Sequence, residues 1–414
     1  MKSYQNNKNI WILNHYAITP DMSGGTRHYD FGKELTKRGY DVTIFASSFH
    51  YTQHKELKLE KKGTYKIENI DGINFVWVKT FPYKKNDWRR VINMISYMWM
   101  SCWIGKKITK INRDIKKPDI IIGSSVHLLA VLSAYWLSKH HKSQFIMEVR
   151  DLWPQTLIDV GKLRKNSLIT RVLKILENFL YKRAKKIITL SPLTKNYLKL
   201  IKIDQNKIHL IPNGVDISKY KFILIDKKKK PTFNIIYTGM LGIFIRLDNV
   251  LGAAKIIQNQ KLKNIKFIFL GEGIKKKQLI KLKEKLQLTN VEFLKSVPKS
   301  KVPIILNTAN ILLLISYKVF YGSENKLMDY LAAGKPIIFA VFDEHNDIAE
   351  KINCGISIPP ENPERMAEAI IKLYNMSPEE RDKMGQRGRE YVEKYHSIPV
   401  LVDKLEKVFK EINI

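Results

Sequence analysis

Cysteine is nearly absent: Cys102 and Cys354 are the only two in 414 residues, and they lie far apart. That excludes a disulfide-stapled fold and a Cys/His zinc cluster. Long apolar runs are missing as well. No stretch supplies the ~20 apolar residues needed to cross a bilayer, and residues 10–13 are too short to be the core of a signal peptide. These two shortages lead us to expect a protein of the reducing cytoplasm. Acidic residues are also scarce, with 39 Asp and Glu against 72 Lys and Arg, a formal net charge of +33. Such an excess calls for an anionic partner: nucleic acid, an acidic membrane leaflet or a phosphorylated ligand. The bland alternative is a lysine-rich solvated surface.

What the chain does have is alternation. Short apolar runs at residues 10–13, 42–47, 75–79, 120–124, 145–149, 187–191 and 208–212 read as buried strands. Segments of helical period separate most of them, at 26–38, 128–139 and 168–184. A second series follows, with strands at 233–239, 267–271, 291–294, 311–316, 337–341 and 356–359. Its helices are placed near 248–259, 275–286, 327–333 and 363–374. Strands alternating with amphipathic helices predict an α/β class with parallel sheets covered on both faces. The charged, strand-poor segment 216–231, with four successive lysines from Lys227 to Lys230, reads as a linker. We therefore expect a first domain over 1–215, the linker over 216–231 and a second domain over 232–395, both of the doubly wound, Rossmann-like type. Ligands of such sheets sit beyond the carboxyl ends of the strands.

Four segments stand at such places. Gly24 and Gly25 follow the first strand and precede a helix; they suit close approach of backbone to a phosphate, or a plain turn. Gly239 and Gly242 occupy the equivalent place in the second series, followed by Arg246, which either forks onto phosphate oxygens or lies on the surface. In the third segment Ser323 can cap a helix that carries Glu324, Asn325, Lys326 and Asp329. A lysine in a helix's first turn opposes the dipole unless an anion sits there, so Lys326 points to a bound phosphate; the bland alternative is a Lys–Asp pair on a solvated helix face. Asp329 falls on the same face, placed for ribose hydroxyls. The fourth segment holds Glu148 and Asp151 at a strand's end, either facing an acceptor or capping the next turn.

In this order the segments resemble glycosyltransferase family 4, whose fold is GT-B: two facing Rossmann-like domains with a cleft between them. The resemblance extends to Asn213-Gly214, Gly271-Glu272-Gly273 and the stretch 325–336, and leans toward enzymes of bacterial surface polysaccharides such as N-acetyl-fucosamine transferases. It implies a nucleotide-sugar donor, UDP-linked by family tendency, bound mainly to the second domain, and transfer with retention to a lipid-linked saccharide. It also implies that the last helix, from 396 to the end, returns to the first domain. Of the paired glutamates the family carries in the third segment, Asp329 takes the second place and Tyr321 the first, so Ser323, Glu324 or Asn325 stands in at the sugar. Lys326 and Arg246 would meet the charge of the leaving diphosphate. Arg150 stands where relatives carry a histidine, which makes Asp151 or Glu148 the acceptor-facing group. No Asp-X-Asp triplet occurs, and no metal or other cofactor is expected.

Residues 91–105 are apolar apart from Asn93, Ser96, Ser101 and Gly105, with Lys84, Lys85, Arg89 and Arg90 before them and Lys106, Lys107 and Lys110 after. The segment reads either as a core helix or as an interfacial helix on the anionic inner face of the cell membrane. Two other functions compete with sugar transfer. A nucleic-acid-binding protein would gather its basic residues and exposed aromatics in one module, whereas these lysines are spread along the whole chain. A sugar-nucleotide epimerase of the same fold would share the nucleotide cleft without an acceptor side.

Overall fold

The computed structural model describes residues 8–60, 62–85, 87–220, 232–262, 264–316, 325–341 and 348–412, apart from the side chains of Phe244 and Asn325. The expected linker lies outside them from residue 221 on, as do Ser323 and Glu324.

The first half contains strands β1 (Asn9–Leu13), β2 (Asp41–Ser47), β3 (Phe49–His50), β4 (Lys55–Glu56), β5 (Tyr65–Ile70), β6 (Ile73–Val78), β7 (Ile120–Ser124), β8 (Gln144–Val149), β9 (Lys186–Thr189) and β10 (Ile208–Leu210). Its helices are α1 (Arg27–Lys37), α2 (Trp88–Ile111), α3 (Leu128–His141), α4 (Gln155–Asp159), α5 (Leu168–Arg183) and α6 (Pro192–Leu200). Eight strands form one sheet in the order β10-β9-β8-β7-β1-β2-β6-β5. All its pairs are parallel except β5 with β6. The central strands are buried on both faces, which is why they read as unbroken apolar runs. β5 escapes sequence reading because it is a half-exposed edge strand of mixed polarity. β3 and β4 form a separate two-stranded antiparallel pair.

The second half contains β11 (Phe233–Thr238), β12 (Ile265–Leu270), β13 (Val291–Leu294), β14 (Ile311–Ser316), β15 (Ile337–Val341) and β16 (Gly355–Ser357). They form an all-parallel sheet in the order β13-β12-β11-β14-β15-β16. Around it lie α7 (Leu247–Asn259), α8 (Lys276–Lys285), α9 (Val302–Asn307), α10 (Asn325–Ala332), α11 (Ile348–Lys351), α12 (Pro363–Asn375) and α13 (Pro378–His396), and the chain ends with α14 (Ile398–Lys410). α13 starts on a capping box: the Ser377 side chain accepts from the Glu380 N–H, and the Glu380 carboxylate accepts from the Ser377 N–H.

α14 belongs by packing to the first sheet. Leu401, Val402, Leu405 and Phe409 join Ile10, Ile12 and Leu35 in one buried cluster under α1. Two chain passes meet where it crosses over. The Val215 N–H donates to the His396 carbonyl at 3.1 Å, and the Ile398 N–H donates back to the Val215 carbonyl at 3.2 Å. On the cleft side, the Lys299 and Ser300 N–H groups donate to the Met22 and Pro20 carbonyls at 2.9 and 3.1 Å.

Leu401 is fully buried between α14 and the first sheet's helices. Leu401→Ala should cost ~2–5 kcal/mol of stability in urea unfolding; a change under about 0.5 kcal/mol, the size of an ordinary surface substitution, would show that α14 contributes no core.

Candidate active site

The strand ends of both sheets face one another across the cleft, and the expected residues fall into three groups there. The first is built on α10. The Lys326 side chain folds over β11: its Nζ lies 5.1 Å from the Tyr237 ring centroid and 3.4 Å from the Tyr237 Oη. It also touches the Gly239 turn, where a Cβ would come 3.0 Å from Lys326 Cδ. Gly239 has φ +135° and Gly24, on the opposite loop, has φ +141°. Both glycine loops therefore adopt backbone that a side chain would strain. Gly25 lines the space between the two halves, and Gly242 opens the short turn before α7. Asn325 begins α10.

Asp329, one turn beyond Lys326, is buried. Its Oδ1 accepts from the Tyr220 hydroxyl at 2.7 Å, and its Oδ2 pairs with the Lys299 ammonium. It lines the interdomain space together with Gly25, Arg27, Asp30, Lys219 and Tyr220. Sequence reasoning missed Lys299 and Tyr220, which come from distant segments and carry no motif. Arg246 is placed differently from expectation. Its guanidinium is forked onto the Asp248 carboxylate at 3.0–3.2 Å and pairs with Glu361 as well.

The third group separates Glu148 from Asp151. Glu148 is buried and held from three sides: Arg27 Nε donates at 2.8 Å, His28 Nε2 at 2.7 Å and the Ser124 hydroxyl at 2.8 Å. Burial alone would raise its pKa, but Arg27 and then His28 hold it well below the usual carboxylate range. Asn14 Nδ2 donates to His28 Nδ1 at 2.7 Å, so the neutral Nε2–H tautomer satisfies every contact of His28, and burial keeps that ring neutral. Among the described residues Glu148 is thus a structural anion with both oxygens occupied, which corrects its expected place at an acceptor.

Asp151 is half-exposed, and among the described residues its carboxylate has no hydrogen-bond donor within reach. Burial raises its pKa against the opposing pull of Arg150 and Arg90. Tyr51 borders it, with its ring 4.8 Å from that of Tyr16, which in turn stacks on His15 of the His15–His127 pair, joined at 2.7 Å. The Ala130 N–H donates to His127 Nδ1 at 3.1 Å, which leaves the proton on Nε2 to bond His15.

Against this geometry, the class follows. Residues 23–219 match the description "Glycosyltransferase Family 4" and residues 220–391 match "Glycosyl transferases group 1". The chain belongs to the glycosyltransferases of group 1 and family 4, with the GT-B fold, and it is an enzyme. An uncharacterized glycosyltransferase of Methanocaldococcus jannaschii is 22% identical over 95% of this chain and 96% of its own length. Among solved structures, Anabaena HepE in complex with UDP and glucose superimposes with a TM-score of 0.68 at 13% identity, covering 98% of this chain and 100% of that one. WaaG, a glycosyltransferase involved in lipopolysaccharide biosynthesis, gives 0.67 at 15%, covering 97% and 99%.

Burial, followed by Arg90, pushes His127 down to about 3 from an ordinary 6.5. Its folded pKa lies below its unfolded one, so the stability it confers is complete above pH 6.5 and shrinks as pH falls from there toward 3. At pH 4.5 the loss from His127 alone should be on the order of 2 kcal/mol. In His127→Asn, which keeps a capping oxygen before α3, melting temperature should fall less steeply between pH 7 and 4.5 than in the parent. Parallel profiles would place the proton elsewhere.

Proposed function

We propose that this enzyme transfers a sugar of the N-acetylhexosamine type, with retention, from a UDP-linked donor to a lipid-linked saccharide in cell-surface polysaccharide synthesis. It would work at the inner face of the membrane. The observation that carries the reading is Lys326: a cation in the first turn of α10, laid over the Gly239 turn at the end of β11. That is where a leaving diphosphate would find one charge and the N–H groups of a glycine loop together. The HepE complex supports a UDP-linked donor, since a protein of the same fold binds UDP and glucose. WaaG's role in lipopolysaccharide biosynthesis supports the acceptor class.

In this reading the first domain, 1–215 with the helix from 396 onward, holds the acceptor, 216–231 is the linker, and 232–395 holds the donor. Asp329 takes the ribose hydroxyls in exchange for Lys299, and Ser323, Glu324 and Asn325 border the sugar. Asp151 orients the acceptor hydroxyl from the opposite side. The leaving phosphate oxygen accepts the acceptor's proton on the face from which it departs, so neither a protein nucleophile nor a metal is needed. Lys326 and backbone N–H groups supply the stabilisation, joined by Arg246 once its guanidinium is released from Asp248 and Glu361. Glu148 and Asp151 lie on one segment and do not flank a sugar from two sides, as double displacement requires.

Lys326→Ala should remove roughly 2–4 kcal/mol of transition-state stabilisation, read as a fall in kcat for UDP release in the presence of acceptor. Near-parent turnover would take Lys326 out of the site. Asp329→Ala should weaken UDP binding in calorimetry, and Lys299→Met should not. Equal losses in both variants would mean that the ion pair, and not the carboxylate, serves the nucleotide. Product NMR should show the donor's anomeric configuration, and activity should survive chelation.

A further inference from the structure

α2 and α5 are apolar on their outer faces as well as on their inner ones, where Tyr97, Ile104 and Ile108 of α2 and Leu173, Leu176 and Leu180 of α5 pack into the core. On α2 the residues facing the core include Asn93, Ser101 and Gly105, whereas Trp88, Val91, Ile95, Trp99 and Trp103 form a stripe at helical spacing on the outside. Trp88 and Trp99 are each 61% exposed. On α5 the buried residues are Thr170, Glu177, Leu180 and Tyr181, while Leu168, Ile169, Val172 and Ile175 are 55–76% exposed. Glu177 is satisfied inside: the Tyr181 hydroxyl donates to it at 3.1 Å, and the Tyr197 hydroxyl lies 3.5 Å from its other oxygen. A helix that faces water carries polar residues on its outer side, so a second, outward apolar face calls for a medium other than water.

The two outer faces are continuous. α2, α3 and α5 all pack their inner sides into one core on the same side of the eight-stranded sheet. α3 lies between the other two. Its Trp136 sits 6.2 Å from Trp99 of α2, and its Tyr135 packs edge-on to Phe179 of α5 at 5.2 Å. Charge then distinguishes among possible occupants. Glu177, which is buried, is the one acidic residue in these three helices, while Arg89, Lys106, Lys107, Lys139 and Arg171 are exposed on them. Arg89 and Lys107 lie over the Trp88 and Trp103 rings at 5.0 and 4.6 Å, so cation and indole share one level at the rim. A second copy of a chain with net charge +33 would repel this face. An anionic lipid surface would not, and it accepts indoles at its headgroup level.

We propose that the outer faces of α2, α3 and α5 form one lipid-inserting surface that seats the enzyme on an anionic bilayer leaflet. The lipid-linked acceptor read above gives this surface its purpose. Arg90, next to the exposed Val91 on α2, also acts electrostatically on Asp151, so the surface lies beside the proposed acceptor side of the cleft. It is wider than the residue 91–105 segment legible in the sequence, and Met98 of that segment is not part of it, being buried.

The full chain would be sedimented with vesicles of phosphatidylcholine alone and with 30 mol% phosphatidylglycerol (about a third anionic, in the range of an acidic leaflet). Binding should be at least about tenfold stronger to the anionic vesicles and should fall in high salt. Trp99→Glu with Trp103→Glu, and separately Val172→Glu with Ile175→Glu, should each lower the partition coefficient about tenfold or more. Both pairs replace exposed side chains, and circular dichroism melts check that they fold. For the parent protein, tryptophan fluorescence should be quenched by lipids brominated in the acyl chain, a readout that needs no variant. If the α5 pair binds as the parent does, or quenching is absent, the continuous surface is overturned. A parent dimer that both pairs dissociate, with vesicle binding unchanged, would assign the face to a second copy and also overturn it. UDP release from a UDP-sugar with a water-soluble acceptor should be unchanged in both pairs. Absence of such turnover in the parent, with vesicle binding intact, would fault the transferase reading and leave the lipid surface standing.

Discussion

Glu148 is the anion about which the first half of the molecule is assembled. Its two oxygens take hydrogen bonds from α1 through Arg27 and His28 and from the end of β7 through Ser124, while its own backbone closes β8. Arg27 continues outward, donating to the carbonyls of Ile211 and Pro212 just before the chain leaves the first sheet. One carboxylate therefore ties together the helix behind the Gly24–Gly25 loop, the strand end that carries Asp151 and the segment leading to the crossover at Val215. Removing one partner of such a buried pair costs roughly 3–5 kcal/mol, because the other charge is left uncompensated. The expense falls in the framework, and three residues on the carboxylate of Asp151 accepts no hydrogen bond among the described residues, with Arg150 and Arg90 acting on it from nearby.

The second half solves a different problem. Its all-parallel sheet needs no central ion pair, and its polar groups are concentrated at the strand ends. Tyr330, on α10, accepts from the Thr238 N–H at 2.8 Å, and Tyr237 donates to the Met240 carbonyl at 2.9 Å. These two phenols hold the Gly239 turn against α10, and the aliphatic part of Lys326 fills the remaining gap. The preorganisation that transfer chemistry calls for is supplied by packing around a glycine as much as by charge.

Much of the architecture was legible because both sheets are mainly parallel and buried on both faces, so their strands are short apolar runs between amphipathic helices. The edge strand β5 was not legible, since edge strands alternate polarity and this one is half-exposed. Neither was the second, exposed apolar face of α5: periodicity locates apolar residues without saying which of them a sheet covers. In the candidate site the glycine loops and α10 were legible from the pairing of special backbone with an ill-placed lysine. Lys299 and Tyr220 were not, because each meets Asp329 through chain reversals that no local pattern encodes.

Read along the chain alone, the alternation of strand and helix, the positions of the glycine turns and the excess of positive charge are already set. All three are local properties, set by hydrophobic period, backbone freedom and composition. Long-range packing set the rest: Glu148 as a strut, the carboxylate of Asp151 without a hydrogen bond among the described residues, Arg246 engaged by Asp248 and Glu361, and α2 and α5 each exposing a second apolar face. Each of these depends on which distant atoms lie within about 3 Å, the reach of a hydrogen bond, or on which face of a helix a sheet covers. That proximity is fixed by the packing of the whole chain.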